Sequence, residues 1–179
     1  MFVRSLITAG AALALAATTV TAQKVVSTKM GGGGSPHETV EYTVKGAKIT
    51  LTYGRPFLKK RTVTDVAPNG KVWRTGADEA TTLVTDKALM FGSLMVPAGT
   101  YTLYTVPGPT SWKLVINKQT GQWGTVYQEA QDLGRVDMKV EKLPKEVDQF
   151  TIGITPSADG GVLNLDWGTT RATIPFMVH

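Results

Sequence analysis

From residue 40 onward, apolar residues recur at every second position. Val40, Tyr42 and Val44 share one face, Gly46 interrupts, and Ile49, Leu51 and Tyr53 share a face of the next segment. Successive side chains of a strand point to opposite sides, so the pattern predicts two half-buried strands joined as a hairpin. The alternation returns at residues 83–85, 89–91, 100–106, 112–116, 136–140, 150–154, 163–167 and 172–176. Turn-forming residues separate these runs: Gly92-Ser93, Pro97-Ala98-Gly99, Pro107-Gly108-Pro109, and the stretches 117–121 and 157–161. Many short strands at regular spacing predict an all-β fold, an antiparallel β-sandwich of jelly-roll-like or barrel-like form. At most one short helix is expected, near residues 125–133.

The first 36 residues break this pattern in two ways. Arg4 is the only charge in residues 1–22, an apolar stretch covers residues 6–17, and Val20-Thr21-Ala22 ends in a small residue. That is the charged, apolar and cleavage region of a secretory signal peptide. The apolar run is too short, and too rich in Ala and Thr, for a membrane span. No cysteine near the cleavage position offers a lipid anchor. Residues 23–36 end in Gly31-Gly32-Gly33-Gly34-Ser35-Pro36. Glycine loses the most backbone entropy on ordering, so this segment is expected to be a flexible leader. A single β-sandwich domain is then expected over residues 37–179, with no membrane span in the mature chain.

Composition narrows the chemistry. There is no cysteine, so packing must supply the stability that an exported protein often draws from disulfides. The formal net charge of +5 is mild, and its densest run is Lys59-Lys60-Arg61. It favours anionic partners by long-range attraction, but no nucleic-acid motif accompanies it and none is expected as a partner. The two histidines, His37 and His179, stand at opposite ends of the expected domain. With no cysteine, the usual zinc ligand sets are missing, and neither metal nor cofactor is expected. There is no nucleophile elbow, phosphate-binding loop or dinucleotide fingerprint.

One stretch carries a mixture that a strand does not need. Within Lys71-Val72-Trp73-Arg74-Thr75-Gly76-Ala77-Asp78-Glu79-Ala80-Thr81-Thr82 an indole, a guanidinium and two adjacent carboxylates fall within seven residues. It belongs to a long connection, residues 54–81, and a second long connection spans 117–134; loops on a rigid sheet are where binding residues gather. Trp112 and Trp167 are in phase with apolar neighbours and read as core. Trp73 and the glycine-flanked Trp123 read either as stacking platforms for a sugar or as plugs on the core. Arg55, where a strand ends, and Arg74 can each grip a carboxylate or phosphate, whether of a ligand or of Asp78 or Glu79. Adjacent residues of an extended segment face opposite ways, so Asp78 and Glu79 are poorly placed to share one substrate atom. A two-carboxylate mechanism would need a second acid such as Glu129 or Asp132.

Four ordered motifs carry a resemblance: Tyr53-Gly54-Arg55-Pro56, the stretch from Gly70 to Thr82, Pro97-Ala98-Gly99-Thr100-Tyr101-Thr102-Leu103-Tyr104 and Asn117-Lys118-Gln119-Thr120-Gly121-Gln122-Trp123-Gly124-Thr125. Together they resemble the exported bacterial family catalogued as domain of unknown function 2911, over roughly residues 37–176. The family pattern has Ser at the position of Gly54 and Asn at that of Asp78. The resemblance implies an exported, β-rich single domain and no catalytic residues.

The residues support a non-catalytic module, periplasmic or extracellular, that binds a small anionic or hydroxyl-rich, glycan-like ligand. Arg55 and Arg74 would engage the ligand, and Trp73, Trp123 and Tyr127 would stack on it. Asp78 and Glu79 would orient the arginines or accept hydroxyl protons. A hydrolase of glycan or cell-envelope polymer, with Glu79 as acid or base, is one alternative. A structural or assembly protein without a ligand is the other.

Overall fold

The computed structural model describes residues 23–179. The expected signal peptide, residues 1–22, lies outside the described residues. The strands are β1 (Lys24–Met30), β2 (Pro36–Val44), β3 (Ala47–Gly54), β4 (Thr82–Thr85), β5 (Leu89–Phe91), β6 (Leu94–Val96), β7 (Gly99–Val106), β8 (Ser111–Asn117), β9 (Asp132–Pro156) and β10 (Gly160–Val178). They form one antiparallel sheet in the order β1-β2-β3-β4-β7-β8-β9-β10-β5-β6.

The predicted hairpin is β2–β3. Val40, Tyr42 and Val44 are buried against exposed Glu41 and Thr43, and Ala47, Ile49, Leu51 and Tyr53 continue the buried face. Lys45 and Gly46 close it with φ of 47° and 73°, the positive pair that a two-residue hairpin turn needs.

The sheet folds over itself to make two layers, sandwich-like and not closed. The first part of β9 pairs with β8, and its last residues pair with the start of β10. The far part of β9 crosses the β2–β3 hairpin. There the Tyr42 and Tyr53 hydroxyls donate to the Ile152 carbonyl at 3.4 and 3.3 Å, and the Ile152 amide donates to the Tyr53 hydroxyl at 3.1 Å. Just beyond β3, Leu58 N–H donates to Asp148 O and Phe150 N–H to Pro56 O, both at 2.9 Å. Between the layers lies one core that includes Val40, Tyr42, Ile49, Leu51, Leu103, Leu114, Phe150, Ile152, Leu165 and Trp167.

Four expectations are corrected. The paired runs at 136–140 and 150–154 are one 25-residue strand, and those at 163–167 and 172–176 are one 19-residue strand. Each bends without a turn, through register shifts around Gly168 (φ 57°). The turn or two of helix expected near 125–133 is present as one 3-10 turn, Glu129–Gln131, but the α-helical turn lies elsewhere. A four-residue helix, α1 (Val63–Val66), stands instead in the first long connection. Its start is held by a reciprocal box in which Thr62 N–H donates to Asp65 Oδ2 and Asp65 N–H to Thr62 Oγ1. Finally, the segment expected to be a flexible leader carries β1, an exposed edge strand on β2, and its glycines form the β1–β2 turn. Backbone pairing along β1 offsets the entropy that glycine loses there.

Candidate functional site

The extended chain ends at Trp73, whose backbone exchanges hydrogen bonds with Thr105 at 2.7 and 2.9 Å. Beyond it, Thr75 (φ 53°) and Asp78 (φ 62°) take left-handed conformations and turn the loop twice. Buried hydroxyls hold this shape: Thr81 Oγ1 donates to Thr75 O at 2.7 Å, and Thr75 Oγ1 to Thr105 Oγ1 at 3.2 Å. The second long loop docks on the first. Glu79 bridges Trp123, Ala80 N–H donates to Gln122 O, and Gly124 N–H donates to Asp78 O at 2.9 Å. A methyl group on Gly124 would lie 2.6 Å from Arg74 Cδ and 2.8 Å from Asp78 O, so glycine is what lets the loops approach.

The left-handed turn at Asp78 overturns the expectation that its carboxylate and that of Glu79 face opposite ways. That expectation assumed an extended backbone, whereas Asp is one of the few residues that tolerate positive φ. Both carboxylates reach His37, with Asp78 Oδ2 and Glu79 Oε2 each 3.3 Å from Nε2. Ser35 N–H donates to Asp78 Oδ2 at 3.2 Å. The Gly31–Gly34 turn covers the cluster. A Cβ on Gly31 would collide with His37 and Asp78, and one on Gly33 with the Asp78 carboxylate. His37 pairs across the hairpin with Gly54; a Cβ on Gly54 would collide with Ala77 O and lie 2.8 Å from His37 Nε2. Sequence reasoning set His37 aside as a terminal residue. Its one signal was indirect: a histidine just after four glycines, with a glycine opposite it once the hairpin register is drawn.

The aromatic and basic candidates separate. Trp73, 6% exposed, is a core residue. It stacks on Trp167 at 5.2 Å and 11° and meets the Trp112 and Phe150 rings edge-on, so the face expected for a ligand is covered by Trp167. Trp123 is 42% exposed, and Gly32 lies against it. Arg55 is occupied internally. It pairs with Glu38 at 3.1 Å and donates to Phe150 O and Thr151 Oγ1 at 3.2 and 2.9 Å, clasping the hairpin to β9. Arg74 donates through Nε to Gly76 O at 3.3 Å and forms no ion pair among the described residues. Neither arginine is the partner of Asp78 or Glu79.

Arg74 lines a cleft of about 550 Å³ together with Val72, Trp73, Tyr104, Thr125 and Tyr127. Tyr127 packs edge-on to Tyr104 at 4.9 Å. Its hydroxyl donates to Asp132 at 2.7 Å and accepts from Arg135 at 2.7 Å. Burial, with the Asp132 carboxylate beside it, pushes that hydroxyl up to about 12. Thus Tyr127 is a neutral, fixed wall at any ordinary pH. The structure brings Trp73, Arg74 and Tyr127 together in the cleft, and places Asp78 and Glu79 with His37. Arg55 pairs with neither group.

No curated protein and no solved structure matches this chain. One family profile does, over residues 35–176, with the description protein of unknown function (DUF2911). The chain belongs to that family.

Proposed function

We propose that this member of the family is a non-catalytic binding module that takes a small anionic or hydroxyl-rich, glycan-like ligand in the Arg74 cleft. The observation that carries the reading is Arg74 itself. Its Nε has one backbone acceptor, and its terminal amino groups have no acceptor among the described residues, beside the aromatic walls of Tyr104 and Tyr127. A guanidinium with free donors recognises carboxylate, phosphate or vicinal hydroxyls, and a cleft of this volume suits a small molecule.

The test is calorimetric titration of the protein with sugar acids, neutral saccharides and inorganic phosphate, repeated with Arg74→Met. Methionine keeps an apolar stem against Gly124 and removes the charge. Loss of a charge-assisted hydrogen bond is worth about 1.5–3 kcal/mol, so the variant should bind roughly 10–100-fold more weakly while melting near the parent temperature. A ligand bound equally well by both forms would sink the reading.

We further propose that the protein works outside the cytoplasm, in the periplasm or beyond the cell, on the strength of the Arg4, 6–17 and Val20-Thr21-Ala22 pattern. N-terminal sequencing of the protein from a cell-envelope or medium fraction should begin at Gln23. A chain still beginning at Met1 there would contradict cleavage.

A further inference from the structure

His37 Nε2, one carboxylate oxygen of Asp78 and one of Glu79 all lie within 4.8 Å of one another. An imidazole N–H can account for only part of this. It has one hydrogen to direct, yet two carboxylates sit at the same 3.3 Å, longer than the roughly 2.7–2.9 Å of a charge-assisted hydrogen bond. A divalent ion accounts for all three groups. With bonds of about 2.0–2.2 Å to nitrogen and oxygen, tetrahedral geometry separates neighbouring ligand atoms by about 3.3–3.5 Å, the spacing of both nitrogen–oxygen pairs here, and the two carboxylate oxygens lie within 4.8 Å of each other. The charges agree: a cation among the three groups would offset both carboxylates, the buried one of Asp78 and the half-exposed one of Glu79.

The surroundings are built for enclosure on one side and access on the other. The His37 and Asp78 side chains are 3% and 7% exposed, whereas that of Glu79 is 47% exposed. The β1–β2 turn closes over Asp78, with Gly31 and Gly33 leaving no room for a Cβ. Three protein ligands and an open side match the arrangement in which the remaining position is held by water or a substrate atom. One imidazole with two carboxylates suits a first-row divalent ion such as zinc or manganese. Calcium would require six or more oxygens.

We infer that His37, Asp78 and Glu79 bind one divalent transition-metal ion, with an exchangeable position on the Glu79 side. None of these residues lines the Arg74 cleft, so the inference stands apart from the ligand reading.

The experiment strips the isolated protein with a chelator, returns it to metal-free buffer, and titrates it with zinc chloride by calorimetry. Cobalt chloride serves as the optical probe. One zinc per chain is expected, with a rise in melting temperature and visible cobalt bands of low-symmetry coordination. Glu79→Gln, at a half-exposed position, should fold like the parent and bind zinc at least about tenfold more weakly. His37→Gln should lose the cobalt bands, and its fold is checked by circular dichroism. The inference is overturned if the folded parent takes up no stoichiometric zinc. It is equally overturned if folded Glu79→Gln binds zinc as the parent does, because the cluster is then only an internal ion pair.

Discussion

Asp78 carries the arrangement of the polar loop at the scale of single residues. Its φ of 62° swings a carboxylate that an extended backbone would have aimed away from Glu79 to the same imidazole nitrogen. Glycines then decide how closely the β1–β2 turn can cover it. A methyl group on Gly33 would collide with the Asp78 carboxylate, whereas one on Gly32 would sit 3.6 Å from Trp123 in ordinary contact. Gly33→Ala should therefore cost about 1–3 kcal/mol, the usual penalty of overpacking. Gly32→Ala should be within about 0.5 kcal/mol of the parent. Denaturant midpoints of the two variants check this; equal midpoints would mean that the turn does not close on Asp78. Trp73 and Trp123 make the complementary point. Both read as the same residue in a polar loop, and only their neighbours separate a core ring stacked on Trp167 from a half-exposed one.

Elements were legible wherever a strand has one buried and one open face. The β2–β3 hairpin, β5 and β8 follow directly from alternation, because burial on one side imposes period two on the sequence. The long strands β9 and β10 read as pairs of shorter ones. The middle of β9 is mostly exposed and that of β10 mixed, so apolar periodicity fades although each strand runs on through shifts of register. β1 was hidden for a related reason: all seven of its residues are exposed, and an edge strand with no buried face leaves no pattern to read. The glycine run after it then passed for a linker, since the entropy argument is sound locally and is reversed only by pairing with β2. The loop at 117–134 gained its meaning from docking on residues 78–80, through backbone groups that any sequence possesses.

The molecule as a whole carries a pH dependence in its aromatic core. Burial raises the hydroxyls of all five tyrosines, Tyr42 and Tyr127 to about 12 and Tyr53, Tyr101 and Tyr104 above their ordinary value. In the unfolded chain these groups lose their protons near pH 10. Between about pH 10 and 12 the unfolded state therefore binds fewer protons than the folded one, and stability falls as pH rises. Below about pH 10 both states hold the protons, and the tyrosines contribute no slope. Denaturation midpoints across this range, with phenolate absorbance followed in parallel, should show a drop that coincides with delayed ionisation. Phenolate formation near pH 10 in the folded protein would refute it.

The order of polar and apolar residues by itself determined the all-β class and most strand positions, since each rests on neighbours within a few residues, and four motifs of particular residues carried the family. They left open which of the candidate residues meet. His37 lies 41 residues from Asp78, and Arg55 finds Glu38 and β9 rather than the carboxylates nearer its own loop. Those choices follow from hairpin register, from how the sheet folds over itself and from two left-handed residues in a loop. Tertiary structure decided them because side-chain contact is set by where the backbone ends up, and alternation records only which side of a strand faces inward.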